Sequence, residues 1–517
     1  MQSLHRETVP SVAAPLGGVD SLGLNSFGDS QRDVPFADAL RELAAIDWQR
    51  LHVPAHQGSR ESAPELAEAF GEGTLKLDFP MMFSQINQET WEMVTEGPSP
   101  LVRSQALAAE AWGASKVWFL NNGASMGNHV ACLAARILGQ TSVVQRSMHS
   151  SVIDGMIFAG IDPVFIAPNV DSELGAAHGI TAEQVDSALK DNPAASSVYL
   201  VSPSYFGAIA DIDAIADTAH KHGVPLIVDE AWGSHLGFHP DLPKNSIRLG
   251  ADLVVSSTHK LGGSLFQSAM LMLGHGPHAG RLGEAVERVF RSAQSTSSCA
   301  LLLFSLDEAR RRLALHGERL IGENLQKIRQ LTDGIRDRGR FRVESDRIAA
   351  SPDVFARDPF KVVINTRIGG ISGDKALHLL LKDHRVYVEM CTATAIIALV
   401  GPQSDLDVDR FLTALHALPY AEAEQNEGGA LPVAGRHVSS LRDAYFARTV
   451  VVPATEAVGR ISADSLAAYP PGIPNVLPGE VLTESCIEFL RATAATPAGR
   501  VRGAITPDVS SFRVVDS

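Results

Sequence analysis

Between residues 96 and 270 the chain alternates short apolar runs with segments of helical period, and few folds accept such a pattern. The runs cover 116–120, 142–145, 163–166, 197–201, 225–228 and 252–255. Segments of helical period lie between them, at 128–138, 181–189 and 214–222 among others. The runs are too continuous in Val, Ile, Leu and Phe to keep one face in water. Strands buried on both faces and alternating with helices imply a mostly parallel sheet covered by helices on each side. The expected fold class is therefore α/β.

The rest of the chain is organised around that unit. Its 517 residues suggest about three units at roughly 150 residues each. Residues 1–32 are rich in Ser, Gly and Pro and are expected to form a mobile arm. Within an N-terminal helical segment, 33–95, the spacing of Phe36, Leu40, Leu43 and Ile46 predicts an amphipathic helix over 36–51. A large domain over 96–300 is followed by helices over 301–335. A smaller α/β unit completes residues 301–420, with a strand at 361–365, a helix at 374–383 and a strand at 385–390. A linker over 421–436 leads to a C-terminal domain over 437–505 and a tail over 506–517. In that domain Tyr469-Pro470-Pro471-Gly472-Ile473-Pro474 is too rigid for helix and predicts an extended crossing.

Composition narrows the partners. Apolar residues make up 45 % and charged residues 20 %, ordinary values for a packed protein. The 44 basic against 59 acidic residues give a net charge of −15, which argues against a nucleic-acid partner, since that binding needs clustered Lys and Arg. The four cysteines, Cys132, Cys299, Cys391 and Cys486, are scattered in apolar contexts, as expected of free thiols in a reducing compartment. The first 32 residues hold no signal-peptide core, and no apolar run approaches the ~18 residues of a membrane helix. A cytoplasmic protein without a membrane partner is expected.

Open parallel sheets bind ligands beyond the carboxyl ends of their strands, so the residues just after each apolar run carry the chemistry. These are Asn121-Asn122-Gly123-Ala124-Ser125-Met126-Gly127-Asn128, Arg146-Ser147-Met148-His149, Asp229-Glu230-Ala231-Trp232-Gly233 and Ser257-Thr258-His259-Lys260. An acid, a lysine, a histidine and a small-residue anion loop thus converge on one edge. Singly, Asp229 could be a helix cap and Lys260 a surface residue. Together they suit an aldehyde cofactor bearing a phosphate. A buried lysine loses its charge readily and can form an imine. The acid would pair with a ring nitrogen and the histidine would cover the ring. The loop and its helix N-terminus would take the phosphate.

These segments resemble the bacterial ornithine/lysine/arginine decarboxylases, pyridoxal-phosphate enzymes of the aspartate-aminotransferase fold. The resemblance runs from about residue 35 to 505. It includes His52-Val53-Pro54-Ala55-His56-Gln57-Gly58, Glu96-Gly97-Pro98, the loop at 122–128, Asp229-Glu230-Ala231 and Ser256-Ser257-Thr258-His259-Lys260. Near the C-terminus it continues through Glu456-Ala457-Val458-Gly459-Arg460-Ile461-Ser462 and Pro478-Gly479-Glu480. It implies a short form without the receiver-like N-terminal domain, acting on lysine, arginine, ornithine or a derivative to give the amine and carbon dioxide, as in polyamine metabolism.

Carried over by residue, the resemblance makes Lys260 the Schiff-base lysine, with Asp229 and His149 as the other catalytic groups. Gly123, Ala124, Ser125, Ser257 and His259 would hold the phosphate. Ala231 and Trp232 would line the cofactor site, and Ser297, within Thr296-Ser297-Ser298, would reach it from a neighbouring subunit. A homodimer or higher even oligomer with shared active sites follows. The chain departs from relatives at Ala55 and Gln57, where they read Gly and Lys, and at Trp232, where they often carry His. Glu389 and Glu480 are candidates to meet a distal substrate cation.

Two alternatives stay open, and a third, a metal site, is set aside. A pyridoxal-phosphate aminotransferase or lyase would keep the cofactor and change the reaction, with Arg367 or Arg385 as carboxylate ligand. Gly123-Ala124-Ser125-Met126-Gly127 fits the G-x-S-x-G elbow of serine hydrolases, with Ser125 as nucleophile. His235 and His239 have a spacing found in metal sites, but Gly237 and Pro240 argue against a regular helix there, so no metal is expected. His220 and His222 suit a helix C-terminus.

Overall fold

The computed structural model describes residues 29–80, 97–171, 173–420, 435–469, 473–496 and 499–516. Seven strands form the central sheet: β1 Lys116–Leu120, β2 Thr141–Gln145, β3 Asp162–Ile166, β4 Ala195–Val201, β5 Leu226–Asp229, β6 Leu253–Ser256 and β7 Ala269–Leu273. Their order across the sheet is β1-β7-β6-β5-β4-β2-β3. All run parallel except β7, which pairs antiparallel with both β1 and β6. The first six match the apolar runs to within two residues. Sequence reasoning missed β7, Ala-Met-Leu-Met-Leu, which follows β6 by way of the short helix over Thr258–Leu261 and pairs antiparallel with it, with no long crossover helix to announce it.

Crossover helices join the parallel strands and cover both faces. They are α3 Gly123–Leu138, α4 Ser150–Ala159, α5 Ala182–Asp191 and α6 Ile212–Lys221. (Helices α1 and α2 span Pro35–Ala45 and Pro100–Trp112.) Local chemistry fixes their ends. Thr181 and Gln184 form a reciprocal capping box on α5. Asp211 caps α6, whose last turn carries His220, bonded to Asp252 at 2.7 Å; His222 follows as C-cap, bonded to Asp186 at 2.8 Å. Gly127 lets α3 lie close on the sheet, since a Cβ there would stand 2.7 Å from Val255 Cγ1 and 2.9 Å from Leu120 Cδ1.

Two further units flank the sheet. After the four-residue α7 Thr258–Leu261 and α8 Ala279–Ala293 comes α9 Ala300–Arg338, one helix of 39 residues where several could have stood. Its first half anchors the N-terminal region. Asp307 Oδ2 accepts the amides of Phe36 and Ala37, capping α1, while Arg310 bonds the carbonyls of Gln31 and Asp33. Its second half buries Leu325, Ile328, Leu331 and Ile335 in the core shared with a second sheet. That sheet consists of β8 Arg342–Val343, β9 Lys361–Asn365, β10 Met390–Cys391 and β11 Ala395–Leu399, in the order β8-β9-β11-β10. It is crossed by α10 Gly373–His384.

Four expectations change. The helix expected to reach residue 51 stops at Ala45, because the Trp48 indole donates to the Leu43 carbonyl at 2.8 Å and closes the last turn. The strand expected over 385–390 shrinks to Met390–Cys391. Arg385 ends α10 at φ 53, and Val386 turns back to the Leu380 carbonyl. At the start, Asp29–Arg32 forms a 3-10 turn with Gln31 buried against Leu107, so these residues are no part of a mobile arm; residues 1–28 lie outside the described residues. At the end, Ser511–Val515 is a strand paired with Thr449–Pro453, with Phe512 and Val514 buried at every second position. The linker at 421–434 and the crossing at 470–472 also lie outside the described residues.

The C-terminal unit is tied to the large one by arginines. Arg146, just beyond β2, donates to the Pro474 carbonyl at 2.7 Å and pairs with Glu480 at 3.2 Å. Arg502 pairs with Asp154 at 2.7 Å. Glu480 is thereby committed to structure, 5 % exposed and also accepting the Leu477 amide. It is not available to a distal substrate cation.

Candidate active site

A cleft of about 320 Å³ opens at the carboxyl ends of β1, β4, β5 and β6. It is bordered by Gly123, Ala124 and Ser125 from the start of α3, and by His149 before α4. Asp229, Ala231 and Trp232 follow β5, and Ser257, His259 and Lys260 follow β6. Ten of the eleven residues singled out from sequence therefore meet in one place. The exception is Ser297, exposed in the loop between α8 and α9, where its amide donates to Ser295 Oγ.

Asp229 ends β5 and is 2 % exposed. Burial pushes its pKa up, against the hydrogen bonds and the charge of Lys260 that favour the carboxylate. Those bonds come from Asn128 Nδ2 to Oδ2 at 2.9 Å and from the Ala231 amide to Oδ1 at 3.1 Å. Asn128 is itself fixed, accepting the Tyr199 hydroxyl at 2.8 Å and donating to Ser151 Oγ at 2.9 Å. The Ser151 hydroxyl and amide both point at His149 Nδ1, at 2.8 and 3.2 Å. An amide can only donate, so Nδ1 accepts and the ring proton sits on Nε2. Burial, aided by Lys260, lowers the His149 pKa to about 3, and the ring is neutral.

Lys260 lies on α7, where its backbone amide donates a hydrogen bond to the Ser257 carbonyl. Burial lowers its pKa to about 8, although Asp229 and Glu389 pull the other way. Its Nζ stands 3.8 Å from the centroid of the Trp232 ring, which Tyr205 meets edge-on. His259 Nδ1 bonds the Ser268 carbonyl at 2.9 Å and its ring packs on Phe266. Glu230 turns away from the cleft: Oε1 accepts the Ser246 amide and hydroxyl, and burial raises its pKa to about 8.

The first turn of α3 has no side-chain cap, so its amides are available to an anion. Gly123 adopts φ 71 there, a conformation that favours glycine. The two glycines of G-x-S-x-G are thus explained by a turn and by close packing. Among the described residues no histidine hydrogen-bonds Ser125, so the nucleophile elbow is not assembled. His235, offered for a metal, is buried and bonded to Asp358 at 3.1 Å. Among the described residues no group of three His, Cys, Asp or Glu could hold a metal ion.

Pyridoxal phosphate fits this donor set. The uncapped helix start with Ser125, Ser257 and His259 suits the phosphate, Lys260 the aldehyde, and the braced carboxylate of Asp229 a ring nitrogen. Sequence reasoning placed Asn122 and Asn128 in the loop after β1 without a role of their own, although Asn128 orients Asp229. It missed Ser151, which orients His149, and the cleft residues Tyr205, Phe266 and Gln267. A polar Asn on the buried side of a helix made of small and apolar residues is the one signal that could have exposed Asn128.

Comparison with known proteins agrees with the geometry. The family model described as Orn/Lys/Arg decarboxylase, major domain, matches residues 34–405, and the C-terminal domain model of that family matches 438–498. An arginine decarboxylase of Bacillus subtilis is 34 % identical over 89 % of this chain and 94 % of its own length. One from Bacillus anthracis is 32 % identical, over 89 % and 93 %. Among solved structures, a lysine decarboxylase of Francisella novicida superposes with a TM-score of 0.78 at 17 % identity, covering 94 % of this chain and 82 % of that one. At that identity it shows the fold alone.

Proposed function

The chain belongs to the Orn/Lys/Arg decarboxylase family, and on that premise we propose that it removes the α-carboxylate of arginine, with Lys260, Asp229 and His149 arranged around pyridoxal phosphate. Decarboxylation of a basic amino acid is the activity of the family. Arginine is favoured within it because the relatives at 31–34 % identity are named arginine decarboxylases, whereas those named lysine decarboxylases are at 22–24 %. The observation that carries the proposal is the meeting of a partly neutral lysine, a braced buried carboxylate and a neutral imidazole in one cleft.

When bound, pyridoxal phosphate supplies an aldehyde and a ring that accepts the electron pair of a bond broken at the α-carbon. Lys260, with a pKa of about 8, has a usable uncharged fraction at neutral pH and is the amine for a carbonyl carbon. Asp229 holds a proton on a ring nitrogen brought against it, and Asn128 keeps its Oδ2 in place. His149 offers a flat neutral face and a proton on Nε2. Lys260 Nζ, in the cleft wall and still largely protonated at neutral pH, is able to return a proton to the carbon that loses carbon dioxide, whereas the neutral His149 ring would have to become an imidazolate to release its Nε2 proton. The low polarity beside Trp232 and Tyr205 disfavours a charged carboxylate and favours its departure as a neutral gas.

The proposal includes a homodimer in which Ser297 serves the neighbouring copy's site, supported by its exposure away from its own cleft. It also includes a cytoplasmic location, supported by four free cysteines. Among the described residues no helix is long and apolar enough to cross a membrane. The test is carbon dioxide release from arginine, lysine and ornithine by the pyridoxal-phosphate-loaded protein. Arginine should be preferred at least about tenfold, roughly the discrimination of one lost polar contact. Keto acid without carbon dioxide would replace decarboxylation with transamination.

A further inference from the structure

Behind the Trp232 wall of the cleft lies a buried charge cluster that the chemistry above does not use. Lys361 opens β9 with its side chain 1 % exposed, and its Nζ makes no hydrogen bond. Its ion-pair partner is Asp358, with Oδ2 at 3.5 Å. Asp358 is equally buried and gives Oδ1 to His235 Nε2 at 3.1 Å and to the Phe360 amide at 3.0 Å. A buried ammonium whose ion pair is as long as 3.5 Å is costly to desolvate, although removing it alone would leave the Asp358 carboxylate unpaired. What Lys361 does face is the indole. Its Nζ stands 4.8 Å from the Trp232 centroid, and Lys260 Nζ stands 3.8 Å from that same centroid. One ring therefore touches two ammonium groups, one in the core and one in the cleft.

We propose that Lys361 is a positioning residue: its ammonium fixes the Trp232 indole, and the two together hold the Lys260 side chain in place at the cleft wall. This rests on Lys260 being the reactive amine. The two nitrogens are no more than about 9 Å apart, where a second positive charge opposes the first by on the order of one pH unit at an effective dielectric of about 20. Lys361 thus also helps Lys260 shed its proton. The other groups around Lys260 are Asp229 and Glu389, which favour its charge, and the histidines His149 and His259, both shifted towards the neutral form. Around Lys361 stand Asp358, His235 and Glu389, with Arg357 donating to its carbonyl at 3.0 Å.

The experiment is pulsed acetic anhydride labelling across pH of the full-length chain freed of carbonyl cofactor, read lysine by lysine by peptide mass spectrometry. Lys361→Met should raise the pH midpoint of Lys260 labelling by on the order of one unit, and Lys361→Arg should leave it in place. Should the methionine variant not fold, Lys361→Gln, which keeps a donor for Asp358, carries the same expectation. An unchanged Lys260 midpoint in a folded neutral variant overturns the proposal, as does an arginine variant that shifts it equally. A chain that shows the shift yet releases no carbon dioxide from basic amino acids would contradict the proposed activity and leave the role of Lys361 standing.

Discussion

Replacing Asn128 by Leu keeps its approximate volume and deletes the polar hub beneath the cleft. Asp229 then loses a hydrogen bond to its carboxylate, worth about 1.5–3 kcal/mol. Divided by the ~1.4 kcal/mol of one pKa unit, the loss moves Asp229 up by a further one to two units. The Tyr199 hydroxyl, 1 % exposed, is left without its acceptor at a cost of about 1–3 kcal/mol. Asp229 already sits above its unfolded value, so the folded state binds the extra proton and stability falls as pH rises through that window. In Asn128→Leu the window extends upward. Urea unfolding of the cofactor-free protein should therefore show a loss of about 3–5 kcal/mol at pH 8, shrinking by 1 kcal/mol or more at pH 5. Tyr199→Phe is the control: it removes only the hydroxyl and should cost about 1 kcal/mol at both pH values. A loss below about 1 kcal/mol for Asn128→Leu, or one that is the same at pH 5 and 8, would refute the bracing of Asp229 by Asn128.

Three further outcomes follow from the same geometry. The His149 ring should not titrate between pH 5 and 9 by NMR and should carry its proton on Nε2; because its pKa is lowered, it costs up to about 1.4 kcal/mol of stability for each pH unit below its unfolded value near 6.5, and His149→Gln should flatten that acid limb. Arg146→Ala leaves Glu480 buried without its partner and should destabilise the C-terminal unit by about 3–5 kcal/mol near neutral pH, read as faster proteolysis beyond residue 435, with partial recovery in acid as Glu480 protonates. A fluorophosphonate should leave Ser125 unlabelled, and Ser125→Ala should weaken cofactor binding without abolishing carbon dioxide release; labelled Ser125 would revive the hydrolase.

Much of this site was legible because strand periodicity places functional residues at strand ends. Asp229 and Lys260 stand directly after runs that could only be buried strands, and the Gly123–Ser125 turn follows another. The groups that orient them have no such address. Asn128 and Ser151 sit within helices whose sequence pattern is set by packing, and only three-dimensional contact reveals that both face the cleft. Lys361 was hidden differently: it begins a recognised strand, where a lysine ordinarily lies at a wet edge, and its burial depends on Asp358, His235 and Trp232 from two other segments. The same limit explains β7 and the final strand. β7 lies inside the sheet between β1 and β6, and its partner β1, like the partner of the final strand, is remote in sequence.

The assignment of Lys260 as the amine that carries the cofactor is tested most directly by borohydride reduction of the pyridoxal-phosphate-loaded protein and peptide mass spectrometry. A pyridoxyl group fixed on Lys260, absent from Lys260→Ala together with carbon dioxide release, is the predicted result. A fixed group on another lysine, Lys361 included, or full carbon dioxide release by Lys260→Ala, would contradict it.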